Sequence, residues 1–229
     1  MSKVIFSFLG IDGSGKTTQA VALKEFFQEQ GLDTAYVWSR REPYLSRIPA
    51  RIFKKLVLRE SGKTEGEAYT QIKRKRTDLF KNPLLRYLWI NFSLLEYLSM
   101  IHIRIISPNK GRDLLICDRY LNDAIIDFAL SCSMTRAEVT DTVRSAVART
   151  FPAVSRAYFI DIDAEVGAKR KQDGTSVAYL QDRVPMYRHV AEITGALRID
   201  GSLPLETIQE MIRRDAQAFL AGLGEGRRG

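Results

Sequence analysis

The stretch Gly10–Thr17, GIDGSGKT, follows the apolar run Val4–Leu9 and constrains the fold of this chain more than any other feature. It matches the pattern G-x-x-x-x-G-K-[ST] at every fixed position. Glycines in this pattern let successive backbone N–H groups surround an anion, and the helix that follows points its positive end at the same anion. The sequence therefore predicts a strand, a loop that binds the phosphates of a nucleoside triphosphate, and a helix, in that order.

Individual roles follow from this pattern. Lys16 supplies a positive charge to the β- and γ-phosphates, and the hydroxyl of Thr17 is a candidate ligand for Mg²⁺. A loop of this kind needs a carboxylate as a second metal partner, and Asp118 stands at the end of the apolar run Leu114–Cys117. The predicted cofactor-binding residues are Gly10, Asp12, Gly13, Ser14, Gly15, Lys16, Thr17 and Thr18, and the predicted metal-binding residues are Thr17 and Asp118.

Short apolar runs alternate with helical patterns along the whole chain. The candidate strands are Val4–Leu9, Thr34–Trp38, Leu114–Cys117, Ala157–Ile162 and Ala196–Ile199. Helices are expected from Thr17 to Gln30, from a Thr135–Glu138 capping box through Val147, and after Pro204. Strands that are apolar on both faces and separated by helices indicate a parallel sheet covered on both sides. We expect a single three-layer α/β domain over all 229 residues, with a disordered tail at about 224–229.

Composition excludes several classes of protein. Two cysteines and no secretory signal indicate a reducing, cytoplasmic location. Residues 83–107 are apolar but carry too many polar side chains for a membrane span, and we expect a long, largely buried helix there. The net charge of +8 is concentrated between residues 40 and 81. Since no aromatic-interleaved RNA motif or zinc-ligand spacing accompanies these residues, they indicate a solvated face or the rim of a small-anion site rather than nucleic-acid binding.

A second motif, Asp118-Arg119-Tyr120, ends the third candidate strand, where ligands collect in parallel sheets. Together with GIDGSGKTTQ, Arg41-Glu42-Pro43 and AYFIDIDAEVGAKRK, it resembles the thymidylate kinases, a family of P-loop nucleoside-monophosphate kinases. The resemblance implies a five-stranded parallel sheet, ATP as phosphoryl donor, a requirement for Mg²⁺, and direct in-line transfer with dTMP as the leading acceptor. It also implies a homodimer, for which the apolar helix at 84–106 is the expected interface.

The resemblance also assigns roles to single residues. Asp118 would bind or orient the metal and the acceptor, Arg119 would touch the transferring phosphate, Arg41 would hold the acceptor phosphate, and Asp12 would lie near the acceptor sugar. Tyr120 completes the second motif and is counted with the substrate-binding residues. Ser14 stands where some of these kinases place a loop arginine, so Arg170 or Arg183, in a lid at about 168–183, should supply that charge. We favour Arg170, and the predicted catalytic residues are Lys16, Asp118, Arg119, Arg170 and Arg183.

The sequence departs from the family at the position that reads the base. No arginine lies about twenty residues before Asp118, where Glu96 and Tyr97 stand instead, and the serine expected after the second motif is replaced, with Asn122 and Asp123 in that stretch. A basic helical insert at about 44–82 is a further departure. Tyr97 is therefore a candidate for the acceptor pocket. The acceptor could be another nucleoside monophosphate, a nucleoside, or a sugar or lipid phosphate.

A nucleotide-dependent switch without an acceptor is a third interpretation. Asn109-Lys110 resembles a guanine-reading NKxD, but Arg112 stands in place of the aspartate and the stretch precedes the third strand. A switch protein would also gain nothing from Arg119 and a basic lid.

Overall fold

The computed structural model describes residues 4–40, 78, 80–171 and 175–225. The strands are β1 (Val4–Leu9), β2 (Thr34–Trp38), β3 (Leu114–Asp118), β4 (Arg156–Asp161) and β5 (Leu197–Asp200). The helices are α1 (Lys16–Glu29), α2 (Pro83–Ile101), α3 (Leu121–Ser131), α4 (Arg136–Val143), α5 (Ala146–Arg149), α6 (Ala164–Arg170), α7 (Val177–Thr194) and α8 (Leu205–Glu225). A π-helical turn, His102–Ile106, continues α2. The Arg41 prediction, nearly all of the basic insert and the last residues of the tail lie outside the described part of the chain.

The five strands form one parallel sheet in the order β2-β3-β1-β4-β5, which confirms the predicted fold class. β1 lies in the centre, with Phe8 paired with Asp118 of β3 and Leu9 paired with Phe159 of β4. The carboxyl ends of parallel strands meet at the same edge of a sheet. The loop that follows β1 therefore leaves the sheet directly beside Asp118.

Helices cover both faces of this sheet. On one face, Phe6, Phe8 and Tyr158 are buried together with apolar side chains of α1 and α8. On the other face, Phe159 stacks on Tyr187 of α7, with 6.4 Å between ring centroids. Burial of aromatic rings contributes strongly to a core of this kind, because each ring removes a large apolar area from water.

Local sequence signals set the ends of several helices. α1 ends before Gly31, which has φ +78°, and the Leu32 N–H donates to the Phe27 carbonyl as in a Schellman cap. The capping box of Thr135 and Glu138 begins α4 as expected. The prediction that this helix continues through Val147 is wrong. α4 ends at Val143, and Ser145 caps the short helix α5 by accepting a bond from the Ala148 N–H at 3.1 Å.

The chain divides into two compact units. The first comprises Met1–Arg40, Asn109–Asp123 and Pro152–Gly229, and it contains the sheet with α1, α6, α7 and α8. The second comprises Arg41–Pro108 and Ala124–Phe151 and contains α2, α4 and α5. In the second unit Arg86 of α2 forms an ion pair with Glu138 of α4. Among the described residues, none of the helices has both the length and the apolar character needed to cross a membrane. The single domain stays a prediction.

Candidate functional site

The loop between β1 and α1 has the backbone that its glycines predict. Gly10, Gly13 and Gly15 have φ of +154°, +82° and +90°. A Cβ on Gly10 would lie 2.7 Å from the Ile160 carbonyl oxygen, and a Cβ on Gly13 would overlap the carbonyl of Gly167 in α6. Side chains therefore have no room at these two positions, and the loop backbone lies directly against β4 and α6.

Lys16, the first residue of α1, is buried at the base of this loop. Its Nζ donates a hydrogen bond to the Ile11 carbonyl at 3.0 Å and lies 3.7 Å from Oδ1 of Asp12. Burial, together with the nearby guanidinium of Arg119, lowers the pKa of Lys16 to about 8, although neighbouring carboxylates oppose the shift. An ammonium group has three N–H donors, so Lys16 can donate to a phosphate oxygen as well as to the Ile11 carbonyl.

Thr17 and Asp118, the predicted metal-binding residues, are in contact. The Thr17 hydroxyl donates to Oδ2 of Asp118, and the hydroxyl of Tyr36 donates to the same oxygen at 3.1 Å. Asp118 is fully buried, and its Oδ1 has no hydrogen-bond partner among the described residues. A buried carboxylate oxygen without a partner is unfavourable unless a cation or water satisfies it, so these residues fit a magnesium ion or its bound water.

Arg119 follows Asp118 in a left-handed backbone conformation, φ +70°. Its Nη2 contacts Oδ1 of Asp12, and its Nη1 donates to Oδ1 of Asp123 at 3.0 Å and to the Tyr187 hydroxyl at 3.3 Å. A non-glycine residue with positive φ is strained and persists only where surrounding contacts hold it. Here those contacts direct the guanidinium toward the loop.

Asp12, in the middle of the loop, is surrounded by cations. Besides Arg119 and Lys16, Lys171 has its Nζ 3.5 Å from Oδ2 of Asp12. Partial burial works against ionisation, but Arg119, Lys16 and Lys171 outweigh it and lower the pKa of Asp12. Asp12 is therefore a carboxylate at neutral pH, and it is the acidic residue that these cations share.

These residues line one cavity of about 380 Å³. The lining residues are Asp12, Gly13, Gly15, Lys16, Thr17, Trp38, Arg40, Arg119, Arg170 and Lys171. Sequence reasoning did not assign Trp38, Arg40 or Lys171 to the site. Trp38 ends β2 and Arg40 lies two residues further on, at the edge of the sheet where the loop also lies. Five cationic side chains and one acidic side chain give the cavity a strongly positive character, which suits a polyphosphate.

The two candidate lid arginines are placed differently. Arg170, at the end of α6, lines the cavity and donates from Nη1 to the Gly201 carbonyl at 3.0 Å. Arg183, on α7, has its guanidinium 3.9 Å from the ring centroid of Tyr179 and is absent from the cavity lining. Lid residues 172–174 lie outside the described part of the chain.

Other predicted residues lie away from this lining. Tyr120 is buried, and its hydroxyl donates to the Pro152 carbonyl at 3.1 Å. Tyr97, in the second unit, is buried against the ring of Phe151 with 5.6 Å between centroids. Ser14 is buried in the loop, and Thr18 is exposed on α1. No contact described for these residues tests their predicted roles.

A parallel five-stranded sheet with this loop, and with Lys16, Thr17 and Asp118 gathered at its edge, is the architecture of a P-loop nucleotide kinase. Curated relatives agree with this class. The chain is 24% identical over 230 residues to a thymidylate kinase of Caldanaerobacter subterraneus subsp. tengcongensis, covering 94% of this chain and 96% of the relative. It is 27% identical over 172 residues to a thymidylate kinase of Geobacillus sp. (strain WCH70), covering 73% and 68%.

A third match is short but closer: 52 residues, 23% of each chain, are 50% identical to a probable thymidylate kinase of Pyrococcus abyssi. No family model matches the chain. The chain is thus a divergent relative of the thymidylate kinases, which confirms the resemblance stated above, and its relatives support a nucleotide kinase activity.

Proposed function

We propose that this protein transfers the γ-phosphoryl group of Mg·ATP to a nucleoside monophosphate, with dTMP as the first acceptor to be tested. The observation that carries the proposal is one cavity at which Lys16 at the start of α1, Arg119 directly after β3 and Arg170 at the end of α6 meet. Three elements of the fold thus supply positive charge to one place. Phosphoryl transfer depends mainly on such positioning and charge neutralisation, because the protein has little covalent chemistry to perform.

Each residue has a task in this mechanism. Backbone N–H groups of the loop and the Lys16 ammonium hold the β- and γ-phosphates of the donor. Arg119 touches the acceptor phosphate or the group in transfer, and Asp12 binds a hydroxyl of the acceptor sugar. Arg170 neutralises charge that develops on the moving oxygens, which is the task of a loop arginine in some kinases of the family. Transfer is direct, with no covalent enzyme intermediate.

Thr17 and Asp118 would hold the magnesium ion, as the partnerless buried oxygen of Asp118 supports. Bound there, Mg²⁺ supplies charge neutralisation for the β- and γ-phosphates. Tyr36 keeps the Asp118 carboxylate oriented through its 3.1 Å hydrogen bond.

A different acceptor is the second candidate, with the same donor chemistry. It is favoured by Glu96 and Tyr97 at the position where the family reads thymine with arginine. Tyr97 is buried and packs on Phe151, so it could contribute apolar contacts to a pocket but not the charged hydrogen bonds that an arginine makes with a base. Other nucleoside monophosphates, nucleosides, and sugar or lipid phosphates are the alternatives.

The test is ADP release from Mg·ATP across a panel of acceptors: dTMP, dUMP, UMP, CMP, AMP, GMP, thymidine, and several sugar and polyprenol phosphates. Strong turnover with dTMP, absent in the Lys16→Ala variant, supports the first candidate. Turnover with another acceptor supports the second candidate. A wild-type protein that releases ADP with no member of the panel contradicts both.

We further propose a homodimer through α2. This helix buries Ile90, Leu94 and Tyr97 on one side. Its other side leaves large apolar residues exposed, among them Leu84, Leu88 and Leu95. Contiguous exposed apolar surface is typical of a protein–protein interface.

A further inference from the structure

Arg119 belongs to a buried network whose other members, Asp123 and Tyr187, have no role in the mechanism above. Its Nη1 donates to Oδ1 of Asp123 at 3.0 Å and to the Tyr187 hydroxyl at 3.3 Å. The Tyr187 hydroxyl donates in turn to Oδ1 of Asp123 at 2.6 Å. The three groups therefore form a closed ring of hydrogen bonds. All three residues are buried, so water does not compete strongly for these bonds.

The ring of bonds fixes one end of the guanidinium, and Asp12 fixes the other end. Nη1 faces Asp123, and Nη2 faces the loop carboxylate of Asp12. A planar guanidinium held at both Nη atoms by carboxylates cannot rotate about its Nε–Cζ bond without breaking charge-assisted hydrogen bonds. The orientation of Arg119 in the cavity is therefore set by these partners.

Tyr187 is itself anchored to the sheet. Its ring stacks on Phe159 of β4 with an interplanar angle of 7°. α7 also packs against α6, which ends at Arg170. The hydrogen bond of the Tyr187 hydroxyl therefore ties the position of the Arg119 guanidinium to α7.

We propose that Asp123 and Tyr187 are positioning residues that hold Arg119 in the orientation used for phosphoryl transfer. The proposal rests on the proposed function, since Arg119 is the group that would touch phosphate. Asp123 occurs in the stretch after the second motif where the family resemblance implies serine, so this chain holds the arginine with a carboxylate of its own. Neither residue lines the cavity, and both donate to or accept from the Arg119 network. The Asp123 carboxylate also acts to raise the pKa of Lys16, against the larger effect of burial, which lowers it.

The chain offers a matched control. In the same unit Arg156, Asp215 and Tyr158 repeat the arginine–aspartate–tyrosine arrangement, with the Tyr158 hydroxyl donating to Asp215 at 2.9 Å. Tyr158 and Asp215 are absent from the cavity lining. Tyr158→Phe therefore removes a hydroxyl from the same kind of network without touching the site.

The experiment compares kcat and KM for Mg·ATP in Tyr187→Phe, Asp123→Asn and Tyr158→Phe, using the best acceptor of the panel. We expect kcat to fall about 3- to 10-fold in Tyr187→Phe and about 10- to 100-fold in Asp123→Asn, with KM within about twofold of the wild-type value. Tyr158→Phe should lower the melting temperature and leave kcat unchanged. Unchanged kcat in both Tyr187→Phe and Asp123→Asn, or losses that appear only in KM, would overturn the proposal.

Two further measurements separate positioning from general stability and from the proposed function. In an Arg119→Lys background, Tyr187→Phe should lower kcat little further, because lysine has no second terminal nitrogen that Asp123 and Tyr187 could hold. If the two substitutions instead lower kcat by the full product of their separate effects, the proposal is contradicted. NMR of the guanidinium, assigned with Arg119→Lys, should show slow rotation of Arg119 in the wild type and faster rotation in Tyr187→Phe. If the Arg119 guanidinium rotates slowly but the protein phosphorylates no acceptor, the proposed function is refuted and the hydrogen-bond ring is not. Free rotation in the wild type would refute the positioning.

Discussion

The Thr17 hydroxyl donates a hydrogen bond to the carboxylate of Asp118, so the first turn of α1 touches the end of β3. The two residues are 101 positions apart in the sequence. Parallel pairing of β1 with β3 brings them together, because it places Asp118 opposite Phe8, just before the loop. This contact is the basis of the first prediction.

Removing either partner should weaken the use of magnesium. In Thr17→Val and Asp118→Asn we expect the Mg²⁺ concentration for half-maximal ADP release to rise about 10- to 100-fold, as for other losses around a metal. Tyr36→Phe removes the 3.1 Å bond to Asp118 but no proposed ligand, so its shift should be smaller. A magnesium titration of all three variants checks this. Equal magnesium requirements in Asp118→Asn and wild type would remove Asp118 from the metal site.

Nucleotide binding should depend on pH through Lys16, whose pKa of about 8 is set by burial. Below pH 8 the Lys16 side chain is charged and can bind phosphate. Above pH 8 it is mostly neutral, so it must take up a proton when the nucleotide binds. We expect ADP affinity to fall as pH rises above 8, by up to about tenfold per pH unit, with proton uptake on binding. Calorimetry in two buffers of different ionisation enthalpy measures both effects.

The same shift affects the free protein with a defined sign. Because the pKa of Lys16 is lower in the folded state than its ordinary value of 10.5, the unfolded chain binds more protons between pH 8 and 10.5. The contribution of Lys16 to folding stability therefore rises with pH across that window. In Lys16→Met both the binding and the stability dependence should disappear. Persistence of the steep fall in ADP affinity in that variant would assign it to another group.

Arg170 and Arg183 should differ in their effect on turnover. Arg170 lines the cavity, whereas Arg183 lies over Tyr179. Removing a charge that stabilises the transferring group lowers kcat by about 10³-fold or more in kinases that depend on one arginine. We expect a loss of that order in Arg170→Ala and a change within about threefold in Arg183→Ala. Steady-state kinetics decide between them, and the reverse order of losses would transfer the role to Arg183.

The exposed side of α2 should determine the oligomeric state. Leu88 and Leu95 are seven residues apart, so they lie on the same side of the helix, and both are at least half exposed. We expect the wild-type chain of 26.0 kDa to run as a dimer in light scattering, and Leu88→Glu/Leu95→Glu to run as a monomer. Met211→Glu, at an exposed position of α8, is the control and should stay dimeric. A monomeric wild type contradicts the prediction.

The parts of the fold that local sequence determines were predicted well. β1 and β2 have the expected bounds, because each is a short apolar run between turn residues. The break between α4 and α5 was not predicted, since Val139, Val143 and Val147 keep the same four-residue spacing across it. The spacing of the valines is the same for one helix as for two, and it does not reveal that Ser145 begins a second helix.

Which residues surround the cavity could be anticipated where a motif or the family resemblance names them, and not where only the pairing of distant segments brings them there. Lys16 and Thr17 follow from the loop pattern. Arg40 enters the cavity because β2 pairs with β3, and Asp123 meets Tyr187 across 64 residues of sequence. No sequence spacing indicates that Arg40 lies at the cavity or that Asp123 contacts Tyr187, because folding of the sheet brings these residues together.

The overlap that a side chain at Gly13 would have with Gly167 limits how closely α6 can approach the phosphate-binding loop. A Cβ on Gly167 would in turn lie 2.8 Å from the Asp12 carbonyl oxygen, so neither glycine leaves room for a methyl group. The gap between the phosphate-binding loop and α6 is therefore a backbone-to-backbone distance, which no rotamer change can adjust. Because α6 and the loop backbone are already in contact, we expect Arg170 to reach the donor phosphates by changes in its own side chain and not by a closer approach of the helix.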